Sequence, residues 1–364
     1  MQERSPIKGN ADGPLDCGES MLPSANSPTG AVTESFLALV RKKWFIMVGL
    51  LVAMTAVAIV AVTHGAYEIG LDRVLKAFSG AAFGPADVVI WKIRLPRIVS
   101  AVVVGGGLSL SGLAIQSLLK NPLGAPSTLG ISHGAAFGAS AAIVFLDAQI
   151  FLVTAFAFAG AMCSTVVIMV LAGFRRLSPE AIILAGVALT SLFMSGTVLV
   201  QYLASDTQLA MVVFWTFGDV ARANWLEIGT LTAVVAIVTI FLVLQRWDLN
   251  AIAAGEETAR GLGVNVVRLR SIGMLATALM AALATAFHGV IAFVGLIAPH
   301  IARRLVGADH GMLIPFSFII GALLLLGADT LGRILIASGA LPVGIITSFM
   351  GAPMFLYLLV RSYR

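Results

Sequence analysis

The stretch RLPRIVSAVVVGGGLSLSGLAIQSLLKNPLGAP, residues 94–126, decides the fold. It begins with Arg94 and Arg97, continues as an almost unbroken apolar run with glycines at 105–107 and 112, and then reaches Asn-Pro. The run is long enough to cross a bilayer as a helix, which takes about 20 apolar residues. Its glycines predict close packing against neighbouring helices. The two arginines at its start need an explanation of their own.

The composition of the whole chain is that of a membrane protein. Of its 364 residues, 59% are hydrophobic and 11% are charged, whereas a soluble domain is about 25% charged. The net charge of +5 is small and scattered, which argues against a nucleic-acid partner. We predict an all-α polytopic membrane protein with about ten transmembrane helices. The predicted spans are 44–63, 96–119, 129–146, 149–173, 181–203, 226–245, 271–288, 290–305, 312–330 and 341–360.

Two features predict where the transmembrane domain begins and how it is oriented in the membrane. Residues 1–43 are polar and rich in Ser, Pro and Gly, which predicts a disordered cytoplasmic extension ahead of a transmembrane domain at 44–364. With the N-terminus inside, the predicted cytoplasmic loops hold fourteen Lys and Arg residues and the opposite side holds seven. This asymmetry predicts that both termini are cytoplasmic. Span 290–305 is short and contains Gly295 and Pro299, as expected for a half-helix buried in protein.

Several chemistries leave no trace in the sequence. Ion coupling usually needs acidic residues near the bilayer midplane, but only Glu227 and Asp329 among the Asp and Glu residues fall in predicted spans, and each lies close to the outer end of its span. There is no HExxH motif, no GxSG motif with a partnering histidine and no Walker A motif. We therefore predict no catalytic residue and no metal ligand in this chain. An ion-coupled secondary transporter remains the alternative to a pore driven from outside.

Seven fragments, in order along the chain, together resemble one family. They are WKIRLPRIVSAVVVGGGLSLSGLAIQSLLKNPLGAPSTLGISHGA (91–135), LSPEAIILAGVALTS (177–191), FWTFGDVARANW (214–225), AAGEETARGLGV (253–264), GVIAFVGLIAPHIARRLVGADHGMLIP (289–315), GADTLGR (327–333) and LPVGIITSFMGAPMFLYLL (341–359). They resemble the FecCD or BtuC-like permease subunits of ABC importers for iron-siderophores, haem and cobalamin.

The resemblance implies a BtuC-like fold of the type II ABC importers and an import function without an ATPase site in this chain. Two cytoplasmic ATP-binding subunits would use ATP and Mg, so that this chain binds no cofactor. A homodimer in the bacterial or archaeal cytoplasmic membrane, among membrane lipid, would receive cargo from a periplasmic or lipid-anchored substrate-binding protein. Ferric siderophore is the expected cargo, ahead of haem, cobalamin and molybdate-type oxyanions.

The resemblance also assigns roles to residues. The arginines of the RLPR motif and one before the last helix, here Arg94, Arg97 and Arg333, would dock the binding protein, and all three fall on the predicted external side. The coupling segment, about 250–268, would contact the ATPase. Its expected contact residues are Gly255, Glu256, Glu257, Ala259, Arg260, Leu262 and Gly263.

Helix five and the last helix would line the pathway. Expected lining residues are Ser191, Met194, Ser195 and Val198, with Gln116 toward the cytoplasmic mouth, although helix packing explains the same face equally well. The chain departs from the family at Ala340, where a glutamate commonly precedes Leu-Pro.

Overall fold

The computed structural model describes residues 28–65, 67–79, 84–175, 177–222, 224–335 and 341–362. Ala340 and most of the predicted N-terminal extension, residues 1–27, lie outside the described residues. The described part of the chain contains no β-strand. Its α-helices are α1 (Pro28–Thr63), α2 (Leu71–Phe78), α3 (Pro85–Val88), α4 (Leu95–Leu118), α5 (Ile131–Phe145), α6 (Ile150–Gly173), α7 (Pro179–Tyr202), α8 (Asp206–Thr216), α9 (Trp225–Leu244), α10 (Arg246–Ala254), α11 (Glu256–Gly261), α12 (Val266–His288), α13 (Val294–Val306), α14 (His310–Leu335) and α15 (Val343–Ser362), and a π-helical turn at Val89–Arg94 leads into α4.

The chain divides into two compact units, Met1–Ile46 and Met47–Arg364. The described residues of the first unit, 28–46, are helical and expose large apolar side chains such as Trp44 and Phe45. Residues 28–43, which the sequence assigned to the extension, are therefore helical in this structure. The physical reason is that helix-forming Leu, Ala, Lys and Arg residues precede the first apolar span directly.

Among the described residues, seven helices are long and apolar enough to cross a membrane. Two shorter apolar helices, Ile131–Phe145 and Val343–Tyr357, match the third and tenth predicted spans. The eighth predicted span, 290–305, forms α13, a helix of 13 residues that is too short for a full crossing. Every predicted span thus contains a helix, and the all-α polytopic fold is confirmed.

Helix α4 lies at the centre of the second unit, buried along most of its length between α9, α12, α13 and α14. Its glycines make these contacts possible. A Cβ atom on Gly105 would lie 2.4 Å from the carbonyl oxygen of Gly321, and one on Gly112 would lie 1.7 Å from the carbonyl oxygen of Gly295. Both distances are shorter than any real carbon–oxygen contact, so α14 and α13 can approach α4 only where it has no side chain.

Helices α5 and α6 cross in the same way. A Cβ on Gly134 would lie 2.4 Å from Gly160 O, and one on Gly138 would lie 2.0 Å from Phe156 O. Gly130, which the sequence groups with these two by spacing, instead precedes α5 with a φ of +70°. Its role is to let the chain turn into the helix, because L-residues with side chains rarely adopt this conformation.

Candidate functional site

Three arginines and one aspartate gather where α4 begins and α14 ends; we call Arg94, Arg97, Asp329 and Arg333 the Asp329 cluster. Arg94 and Arg97 are 4% and 8% exposed, and Asp329 is fully buried. Arg94 ends the π-helical turn, and Pro96 occupies the first turn of α4. The spacing of three therefore places both arginines on one face of a continuous helical segment.

The carboxylate of Asp329 binds two of the arginines. Arg97 Nε and Nη2 lie 2.8 Å and 2.7 Å from Asp329 Oδ1. Arg333 Nε lies 3.2 Å from Asp329 Oδ2, in an i,i+4 pair along α14. Arg97 Nη2 also lies 3.8 Å from Asp219 Oδ1, in the connection between α8 and α9. The buried carboxylate of Asp329 is thus neutralised by internal cations, which suits an ion pair better than proton transfer.

Two arginines of the Asp329 cluster, Arg94 and Arg333, bind the end of α1. Arg333 Nη1 donates to Ala61 O at 3.0 Å. Arg94 donates to the carbonyl oxygens of Val62 and Tyr67. The last carbonyl groups of a helix have no partner within that helix, and cations at this end are stabilising. The cluster therefore fastens α1 to α4 and α14.

A neutral contact next to the cluster joins α4 to α12. The imidazole of His288, at the end of α12, contacts Ser100 Oγ on α4. The backbone carbonyl of His288 accepts from the backbone N–H of Asp219 at 2.7 Å. His288 is fully buried, and these contacts give it a structural role. They also bring together the ends of α4, α12 and α14 that the unequal distribution of Lys and Arg residues assigns to one side of the membrane.

All three arginines expected to dock a binding protein thus have intramolecular partners in this structure. The sequence indicated their common side but missed their internal partners, Asp329 and Asp219. The i,i+4 spacing of Asp329 and Arg333 was the available signal. Nothing in the sequence pairs Arg97 with Asp329, because they are separated by 232 positions.

At the opposite end of the helices, the coupling segment forms two short helices, α10 and α11. They meet at Gly255, whose φ of +141° makes the corner. Arg260 Nη2 lies 3.6 Å from Glu256 Oε2, in an i,i+4 pair along α11. Helix α11 ends at Gly261, and Gly263 follows with a φ of +86°.

The predicted contact residues of this segment differ in exposure. Glu257, Arg260, Leu262 and Gly263 are exposed, and Leu262 is 70% exposed although it is apolar. Glu256 and Gly255 are half-buried. Ala259 is fully buried in this structure, and its contact with a partner subunit stays a prediction. The exposed face of α11 is the part that another protein can reach.

Arg270, in the first turns of α12, is a buried cation although it lies outside the predicted span 271–288. It is 2% exposed and pairs with Glu256 of α11. Its guanidinium also donates to the backbone carbonyls of Leu118 and Leu177. A second polar contact joins Asn250 of α10 to Asp309 and His310 at the start of α14. The coupling segment is thus bonded to the transmembrane helices at two points.

The predicted pathway residues do not form one group. Ser191, Met194, Ser195 and Val198 are all exposed on α7, with Met194 and Val198 at 52% and 62%. Gln116 is 3% exposed; its amide donates to Leu296 O at 3.3 Å and its carbonyl accepts from Arg303 Nη2 at 3.3 Å. Gln116 therefore joins α4 to α13 in the interior, apart from the exposed face of α7.

Comparison with known proteins gives a consistent result. The FecCD transport family matches residues 50–361. A protein of Methanocaldococcus jannaschii, provisionally named an ABC transporter permease protein, is 47% identical over 92% of this chain and 99% of its own length. The Fe(3+)-citrate import system permease protein YfmE of Bacillus subtilis is 35% identical over 86% of this chain and 94% of its own. A solved ABC transporter, provisionally assigned to the metal-chelate type and inward-facing, superposes with a TM-score of 0.78 at 30% identity, covering 87% of this chain and 99% of its own.

Proposed function

The chain belongs to the FecCD transport family, and from this we propose that it forms the translocation pathway of an ATP-driven importer for a ferric siderophore. Membership of the family makes the chain a permease subunit of a metal-chelate ABC importer, and the ferric siderophore as cargo is the proposal. The observation that carries it is the family match over residues 50–361, which covers nearly all of the predicted transmembrane domain.

The names of relatives support a chelated metal as cargo. Permeases similar to this chain are named for Fe(3+)-citrate, Fe(3+)-hydroxamate, hemin and vitamin B12. Two of these four cargoes are Fe(3+) held by a small ligand that is not a macrocycle, which is why ferric siderophore is our first choice. Haem, cobalamin and molybdate-type oxyanions remain candidates to be compared with it by experiment.

We propose that two copies of the chain enclose the pathway and that two ATP-binding subunits contact α11. The exposed apolar face of α7, which includes Met194 and Val198, supports a partner or lipid on that side of the chain. The exposed residues Glu257 and Arg260 of α11, and Leu262 directly after it, suit contact with a soluble subunit. ATP and Mg would be used by that subunit, and this chain would perform no bond chemistry.

Docking of a substrate-binding protein by Arg94, Arg97 and Arg333 also remains a proposal. Carboxylates of the binding protein would have to replace Asp329 and the carbonyl groups of α1 as partners of the arginines. Arginine suits such an exchange because its planar guanidinium group can bind a carboxylate through two parallel hydrogen bonds and stays charged. Docking would then loosen the contacts that fasten α1 to α4 and α14, and so favour one facing of the pore.

The proposed orientation places the Asp329 cluster outside and the coupling segment in the cytoplasm. The excess of Lys and Arg on the predicted inner side supports it, as does the grouping of helix ends described above. Both termini would then be cytoplasmic, in the cytoplasmic membrane of a bacterium or an archaeon.

Transport by reconstituted proteoliposomes tests the proposal. Vesicles should contain this chain, its ATP-binding subunits and the binding protein, with uptake of ferric siderophore, haem, cobalamin and molybdate measured in parallel. We expect ATP-dependent uptake of the ferric siderophore and none without the ATP-binding subunits. Accumulation by this chain alone under an ion gradient would establish the alternative, an ion-coupled secondary transporter.

A further inference from the structure

Arg270 stands at a junction of four chain segments. Its guanidinium is almost completely buried, and a buried cation is stable only when its charge and its N–H groups have partners. Nε donates to Leu118 O at 3.0 Å, Nη1 donates to Leu177 O at 2.8 Å, and Nη2 binds the carboxylate of Glu256. Each of the three guanidinium nitrogen atoms thus binds a different segment of the chain.

The three partners belong to parts of the molecule with different proposed roles. Glu256 is the first residue of α11, whose outer face would contact the ATP-binding subunit. Leu118 is the last residue of α4, the central buried helix that carries Arg97 at its other end. Leu177 lies two residues before α7, the helix with the exposed face predicted to line the pathway. Arg270 therefore connects the coupling helix to two transmembrane helices at once.

A second contact holds α10 in a similar way. The side-chain oxygen of Asn250 accepts from the backbone N–H of His310 at 2.9 Å and lies 2.7 Å from His310 Nδ1, so this ring nitrogen is the donor. His310 Nε2 lies 2.7 Å from Ser117 Oγ, on α4. Asn250 also donates to Asp309 Oδ1 at 2.8 Å. Both halves of the coupling segment are thus bonded to neighbouring transmembrane elements, and both reach the end of α4.

We propose that Arg270 is a positioning residue that transmits displacement of α11 to α4 and α7, an inference that rests on the proposed import function. The guanidinium group of arginine is planar and holds its N–H donors in fixed positions, so the groups bonded to it move together. The ammonium group of lysine is a point charge on a flexible chain and does not link its partners in this way. Closure of the ATP-binding subunits on α11 would then pull on Glu256 and, through Arg270, on the two helix ends.

The first test compares cargo transported per ATP hydrolysed in the complete reconstituted complex. Arg270→Lys keeps the charge but cannot bind all three partners; Arg270→Gln keeps a hydrogen-bond donor but removes the charge that pairs with Glu256. We expect both variants to keep their ATP-binding subunits and to hydrolyse ATP, while cargo per ATP falls by about tenfold, as expected when charge-assisted hydrogen bonds are lost. The matched control is Arg175→Lys, an exposed arginine two residues from Leu177.

The possible outcomes separate a transmitting role from simpler ones. Unchanged cargo per ATP in a folded complex of either Arg270 variant overturns the inference. Loss of the ATP-binding subunits from Arg270→Lys also overturns it, because Arg270 would then act in assembly of the complex. No ATP-dependent transport by the wild-type complex would overturn the proposed function instead.

A distance measurement tests the inference without transport. Spin labels at Leu262→Cys, directly after α11, and at Leu184→Cys on α7, both exposed positions, would be placed in a Cys17→Ser, Cys163→Ser background. Labelled chain would be diluted with unlabelled chain, so that only distances within one copy are read. We expect one narrow distance distribution with and without nucleotide, which broadens in Arg270→Lys. Identical distributions in both proteins would overturn the inference.

Discussion

Asp329 is the residue on which the Asp329 cluster depends. It is fully buried and binds Arg97 and Arg333, which in turn lie beside carbonyl groups of α1 and the carboxylate of Asp219. A buried ion pair adds little stability by itself, since both charges lose their hydration. Removing one partner is nevertheless strongly destabilising because the remaining charge is left without compensation.

Asp329→Asn should therefore destabilise the folded chain by about 3–5 kcal/mol, because two buried guanidinium groups lose their carboxylate. The measurement is the free energy of unfolding in detergent. Asp147→Asn, at an exposed position with a φ of +56° that asparagine also tolerates, is the matched control and should change stability by less than about 0.5 kcal/mol. Equal stability of both variants would show that the Asp329 cluster does not hold these helices together.

Docking through the arginines predicts a response to salt. The affinity of the binding protein should fall several-fold as the ionic strength rises from about 0.01 M to about 0.15 M, where the screening length shortens from about 30 Å to about 8 Å. Surface binding measurements on the reconstituted complex would give this dependence. Arg73→Gln, an exposed arginine on the predicted external side, serves as the control and should keep the wild-type salt slope. An affinity that is independent of salt would remove the docking proposal.

At the scale of elements, the fold depends on where helices have no side chains. The closest approach is between α4 and α13, where the missing side chain of Gly112 faces backbone atoms of Gly295. Backbone atoms cannot move aside as the end of a flexible side chain can. The contact therefore fixes the position of α13, the short helix that the sequence identified as a partial span.

Gly112→Ala should force α13 away from α4 and destabilise the chain by about 1–3 kcal/mol or more, the usual effect of overpacking. Gly229→Ala on α9 makes the same chemical change where no atom lies within 4 Å, and should be neutral or slightly stabilising. Thermal unfolding of both variants in the same detergent provides the comparison. If Gly112→Ala were as stable as the control, the helices would have to be packed less closely than in this structure.

At the scale of the whole molecule, the face of α7 decides where cargo passes. Ser191 and Ser195 lie among exposed apolar residues, so this face suits a pathway, a second copy or lipid. Water distinguishes these environments, because a cysteine thiol reacts as its thiolate, which forms readily only in water.

Ser195→Cys should react with a membrane-impermeant maleimide at least about tenfold faster than Val170→Cys, which is exposed on α6. Both variants need the Cys17→Ser, Cys163→Ser background, and the rates should be measured in the reconstituted complex with and without ATP. Equal and slow labelling at both positions would place this face of α7 against lipid or protein and remove it from the pathway.

The sequence by itself determined the features that depend on local composition and spacing. Runs of apolar residues of bilayer length predicted where the helices lie, because the backbone in lipid must satisfy its own hydrogen bonds. The glycines of α4 predicted close packing against neighbouring helices. The seven ordered fragments also led to the family that the comparisons confirm.

Only the tertiary structure decided which of these groups meet. The pairing of Arg97 with Asp329, the junction at Arg270 and the burial of Gln116 and Ala259 join residues that are far apart in the chain or depend on the facing of a helix. A charge at a helix end looks the same in sequence whether it faces water, lipid phosphate or a buried carboxylate. Its partner is fixed only when the neighbouring helices pack, since packing determines which charges lose water and must bind one another.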